Sequence, residues 1–184
     1  MSDPAVLLAT ARRELGRLVP VLEPLLADLD DGKLRSRPVP TEWAPVEILC
    51  HLRDEETEDF GARLRVVVEG GTQFTPIDPE RWAVERGYRE AVPREALEAL
   101  RTRRAASLAW LRTLDPERLR WSVSHPGAGP LSGLDLLAAW VCHDRLHLHQ
   151  LTGTLARLWA TRWAPLRTDY AGPIPYGPEA PGAH

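Results

Sequence analysis

Two cysteines, Cys50 and Cys142, are too few for a disulfide-stapled scaffold in a chain of 184 residues. No apolar run approaches the ~20 residues a bilayer-spanning helix needs, and the N-terminus lacks the basic-then-apolar pattern of a secretory leader. A net charge of −3 removes any electrostatic reason to expect a nucleic-acid partner. Together these absences point to a cytoplasmic protein that engages neither a membrane nor nucleic acid. Lysine is nearly missing as well, Lys33 being the only one. No stretch shows convincing strand periodicity. What is present is a globular balance, 43% hydrophobic and 27% charged, in a length suited to one domain with a real core.

Four segments carry helical periodicity. Residues 3–28 place Leu15, Leu18, Leu22 and Leu25 on one face, and Pro20 and Pro24 inside the pattern predict a kink or break near Val19. A second helix is expected from Pro45 to about Glu69, opened by proline in the first turn and stopped by Gly70-Gly71. A third runs from Pro93 to about Leu114, with Arg101, Arg103 and Arg104 read as its solvated face. Ser132 and Asp135 resemble a capping box at the start of the fourth. Between the second and third helices lies a long crossover with one short helix over residues 78–86, and between the third and fourth an irregular or hairpin-like loop holds His125. The fold class is therefore all-α, a four-helix bundle over residues 1–160. Residues 161–184, rich in Pro and Gly, form a surface strap or a tail.

The fourth helix contains Trp140-Val141-Cys142-His143-Asp144-Arg145-Leu146-His147-Leu148-His149-Gln150. Side chains four apart rise from one helical face with Cβ atoms about 5–6 Å apart, so His143 and His147 are spaced to share one metal ion, or to be two hydrogen-bonded or solvated histidines. His149 lies about 200° further round the helix than His147 and faces elsewhere. In the second helix His51 stands beside the apolar stripe and points inward, either as a core histidine with two hydrogen-bond partners or as a third ligand. Three imidazoles from two helices would leave coordination positions open, the arrangement of catalytic zinc rather than closed structural zinc. Glu55, four residues after His51, is the candidate general base or an outer acceptor for a ligand imidazole, although Asp54, Glu55, Glu56, Glu58 and Asp59 also read as a solvated face. Cys50 and Cys142 are each rotated about 100° from the neighbouring histidine and are expected to be small core residues. Asp144 and Gln150 are expected to serve packing or interhelical hydrogen bonds. Trp43, Trp82, Trp121 and Trp140 are expected to fill the bundle and its crossovers, and His125 to lie on the surface or at the site entrance.

Trp43 to Asp54, combined with Trp140-x-x-His143-Asp144-x-x-His147-x-x-Gln150 and the crossover residues Asp78 to Ala83, resembles the DinB-like superfamily of metal-binding four-helix bundles, over residues 5–160. The resemblance implies a three-histidine divalent-metal site at His51, His143 and His147, with zinc first and nickel, iron or manganese as alternatives. It implies a metal-dependent thiol S-transferase or hydrolase acting on a small electrophilic metabolite or xenobiotic. A low-molecular-weight thiol such as bacillithiol or mycothiol would be its cofactor in the first case. Pairing through helices into a homodimer is a further implication. The competing expectation is a noncatalytic stress-response binding or dimerisation module with a structural metal.

Overall fold

The computed structural model describes residues 3–172 and 174. Helix α1 (Pro4–Leu15) opens on Asp3, whose carboxylate accepts from the Ala5 amide at 2.8 Å, and is followed by α2 (Leu18–Leu26). The break falls at Gly16 and Arg17, slightly before the expected Val19. Pro20 explains the shift, because it has no N–H to donate to the carbonyl of Gly16 and its ring crowds that carbonyl. A short α3 (Asp31–Leu34) precedes α4 (Pro45–Glu55). The Glu47 carboxylate accepts from the Ala44 amide at 2.8 Å, so the helix start is satisfied although Ala44 has no side-chain acceptor of its own.

After Glu55 the second bundle helix does not continue regularly. Residues Glu56–Phe60 form a π turn and α5 (Gly61–Val68) follows. The wide turn needs the glycine: a Cβ on Gly61 would sit 2.6 Å from the Glu56 carbonyl oxygen. Then come α6 (Pro79–Glu85), α7 (Pro93–Leu111), a hairpin of β1 (Ser122–His125) and β2 (Gly129–Ser132), and α8 (Gly133–Trp163). The capping box is present: the Asp135 amide donates to Ser132 Oγ at 3.1 Å, and the Ser132 amide to Asp135 Oδ2 at 2.9 Å. Helix α7 ends three residues before the expected Leu114, and α8 runs on past residue 160 to Trp163. Of the expected strap or tail, residues 173 and 175–184 lie outside the described residues.

The helix directions follow from cross-contacts. Arg103 reaches Thr57 while Arg65 stacks on Trp110, so α4–α5 and α7 run parallel. His51 meets His147 while Phe60 stacks on Trp140, so α4–α5 and α8 are antiparallel. Gly16 lies against Leu108 and Glu23 pairs with Arg101, so α1–α2 is antiparallel to α7. The order is up, down, down, up. Two parallel helices in succession require a connection that travels the length of the bundle, which is why residues 69–92 form so long a crossover.

The core has two apolar parts. One holds Leu18, Leu22, Leu49, Leu52, Leu100 and Leu151, the other Leu8, Leu15, Leu64, Leu111, Leu137 and Trp140. At the level between them α4, the π turn, α7 and α8 contribute polar side chains: His51, Asp54, Glu55, Glu56, Arg104 and Asp144 are all buried. Arg104, read as solvated, is thus a correction. Its guanidinium donates to both carboxylate oxygens of Asp144 at 2.6 and 2.9 Å, to Glu56 at 2.9 Å and to the Leu15 carbonyl at 2.7 Å. One side chain thereby ties all four bundle helices at one level. Three further side chains differ from expectation: Cys142 is exposed, Trp121 is nearly half exposed, and Arg103, expected on the solvated face, is partly buried and reaches Asp54 at 3.0 Å. Among the described residues no helix is long and apolar enough to cross a membrane.

Candidate metal centre

His143 and His147 rise one turn apart from α8, and His51 faces them from α4. His51 Nε2 stands 3.2 Å from His143 Nε2 and 2.9 Å from His147 Nε2. Among the described residues this is the one group of three potential ligand side chains whose donor atoms converge, all within 4.8 Å of one another. Three imidazoles bound to one ion at about 2.0–2.1 Å would hold their nitrogens about 2.9–3.4 Å apart, so the observed spacing fits a shared cation. The protonation chemistry agrees. Three converging imidazole nitrogens cannot all pair donor to acceptor: at least two present the same group, N–H or lone pair, a conflict that a cation held by three lone pairs removes.

Burial makes the rings ready for this. Burial first, and then the neighbouring imidazoles, hold both His51 and His147 down to about 4, so both are neutral at physiological pH. Gln150 Oε1 lies 2.7 Å from His147 Nδ1, on the far side of the ring. It accepts the Nδ1 proton and so leaves the Nε2 lone pair free for a metal. Among the described residues His51 Nδ1 has no partner within hydrogen-bond distance, Glu55 Oε1 standing 3.6 Å away.

Glu55 stands on the inner side of the cluster. Its Oε2 is 2.9 Å from His143 Nε2, the nitrogen that faces the other two, not from the outer nitrogen. The carboxylate is buried, which alone would raise its pKa. The His143 contact and the nearby imidazoles outweigh that and keep it low, hence ionised. Asp59, one turn on, is partly buried and paired with Arg63, and burial pushes its pKa up. Phe60 and Trp43 flank the cluster, with ring centroids 4.9 Å from His143 and from His51 respectively. The π turn has a direct effect here, because the added residue brings Phe60 inward against Trp140 and His143.

Asp54 faces the crossover instead. It accepts from Arg53 at 2.7 Å, Arg86 at 2.8 Å, Tyr88 at 2.8 Å and Arg103 at 3.0 Å, and despite burial these donors hold its pKa at about 2. Of the five acidic residues read together, Asp54, Glu55 and Glu56 are buried, each with a different task, and only Glu58 is exposed. Cys50 is buried with its thiol pushed up to about 11 by that burial, unsuited to ligation, and its Sγ lies 3.9 Å from the Tyr88 carbonyl oxygen. His149 is exposed on another face. His125 closes the hairpin turn, its Nδ1 accepting from the Gly127 and Ala128 amides at 3.1 and 3.2 Å. The sequence reading missed Arg104 as a buried cation, and expected of Gln150 packing or an interhelical hydrogen bond where it bonds His147 within its own helix. The three-residue spacing from His147 to Gln150 was the available signal for the second.

A family model described as the DinB superfamily matches residues 14–151. Among solved structures the chain is similar to YfiT from Bacillus subtilis, described as a probable metal-dependent hydrolase with an unusual four-helix bundle topology. The TM-score is 0.74 at 19% identity, covering 83% of this chain and 87% of that one, a likeness of fold. No curated protein matches the chain.

Proposed function

This chain belongs to the DinB superfamily, and on that premise we propose that it is a divalent-metal-dependent hydrolase of a small electrophilic substrate, with His51, His143 and His147 as ligands and Glu55 as general base. The observation that carries the reading is Glu55 Oε2 at 2.9 Å from His143 Nε2, an ionised carboxylate on the side where the three nitrogens meet. The description of YfiT as a probable metal-dependent hydrolase supports it.

His51, His143 and His147 would hold the divalent ion, zinc first with nickel, iron or manganese as alternatives, which when bound would supply Lewis acidity towards a protic nucleophile. Glu55 takes the nucleophile's proton at Oε2 and returns it to the leaving group. Gln150 keeps His147 in the tautomer that presents Nε2. Phe60 and Trp43 give the site apolar walls, which limit water and suit the carbon part of a substrate. Arg104 holds Glu56 and Asp144, each one residue from Glu55 and His143, and so fixes the level at which α4 and α8 face each other.

The same base would serve thiol transfer, in which a thiol such as bacillithiol or mycothiol replaces water. A thiol requirement separates the two reactions. Metal-reconstituted protein is assayed on activated esters and on electrophilic conjugation substrates, with and without added thiol. Metal-dependent turnover without thiol, abolished by His147→Ala, supports the hydrolase. A strict thiol requirement would replace it with the S-transferase, and bound metal without turnover in either assay would favour a noncatalytic module.

A further inference from the structure

At the joint between α1 and α2, on the side facing α7, a cleft of about 430 Å³ is walled by Arg12, Arg13, Arg17 and Arg112 with Gly16 and Leu108 between them. Gly16 adds no side chain to its floor, where a Cβ would stand 3.7 Å from Leu108 Cδ1. The charge is lopsided. Among the described residues Arg12 and Arg112 make no ion pair, while Glu14 alone serves Arg17 at 2.9 Å, Arg13 at 3.5 Å and Arg145 of α8 at 2.9 Å. Of the four guanidinium groups in the cleft, two thus lean on a single carboxylate and two on none, in a chain whose net charge is −3. Collecting like charges around a concavity is unfavourable without a counter-ion, and planar guanidinium forks match phosphate oxygens two at a time.

We infer that this cleft binds a small phosphate-bearing polyanion. Its concavity disfavours a flat membrane surface, and the acidic balance of the chain disfavours a long nucleic acid. The site is independent of the metal centre, and neither reading needs the other. Arg12 and Arg112, which make no ion pair among the described residues, leave charge for a ligand with two or more negative groups, so a diphosphate suits the cleft better than a monoanion.

The test is calorimetric titration of the full chain with inorganic pyrophosphate at low ionic strength, with citrate and phosphatidylserine vesicles as comparison arms. The variants are Arg12→Gln with Arg112→Gln, both exposed or half-exposed and outside the core, and as a control Arg89→Gln with Arg94→Gln, exposed arginines away from the cleft. Saturable one-to-one pyrophosphate binding, weakened at least about tenfold by the first pair and unchanged by the control, is the expected result. Absent saturation, equal weakening by both pairs, or tighter binding to citrate or vesicles would overturn it.

Discussion

The guanidinium of Arg104 and the carboxylate of Asp144 meet through two parallel hydrogen bonds, at 2.6 and 2.9 Å, in the middle of the bundle and one residue from His143. A buried charge of this kind costs desolvation, and its most useful return is register: Arg104 also grips Glu56 and the Leu15 carbonyl, so α1, α4–α5 and α8 cannot slide past α7 without unpairing it.

Replacing Arg104 by Met would leave two buried carboxylates facing each other. The expected loss is about 3–5 kcal/mol of folding stability, read from the denaturant midpoint, with Arg104→Lys in between because an ammonium lacks the fork. A loss under about 1 kcal/mol would show that the network does not hold the helices.

Glu55→Gln keeps size and packing but removes the base. Turnover is expected to fall about 10²–10⁴-fold while metal content stays at the wild-type level, measured by kinetics and metal analysis on one preparation. Retained turnover would take Glu55 out of the reaction.

Gln150→Leu removes the acceptor behind His147. Metal affinity, measured by competition with a chelator, is expected to drop about 10–100-fold with little change in the unfolding midpoint of the metal-free protein. Equal losses in both would assign Gln150 to packing alone.

The metal-free protein should lose stability with acid in a defined window. His51 and His147 protonate near 6.5 in the unfolded chain but only near 4 when folded. Between those values the unfolded state holds more protons, so stability is full above about pH 6.5 and falls as pH drops towards 4. Denaturation curves across that range should show the fall, reduced in His51→Ala. A flat profile in the wild type would mean the two rings are not held neutral by burial.

Much of this could be read along the chain, for a physical reason. In the second bundle helix the apolar residues Val46, Ile48, Leu49 and Leu52 give way to Arg53 through Asp59 and return at Phe60, and in the fourth helix Val141 and Leu151 bracket the stretch holding His143 and His147. Apolar, polar and apolar blocks on two facing helices announce two core layers with a polar level between. The π turn was hidden because helical periodicity holds on both sides of it, and only the close approach of Gly61 to the Glu56 carbonyl explains the glycine. Arg104 was hidden because its burial is decided by carboxylates on two other helices, while its neighbours Arg101 and Arg103 look like solvent-facing companions. The end of α1 was displaced because the effect of Pro20 is felt four residues upstream.

The central claim is that three imidazoles from two helices hold one divalent ion, and metal content per chain tests it most directly. Protein purified without chelator or affinity tag, then given zinc and desalted, should carry one ion per chain, and His51→Ala, which leaves the α8 pair intact, should lose it while remaining folded. A wild-type chain that keeps no ion, or a His51→Ala chain that keeps its ion undiminished, would contradict the account.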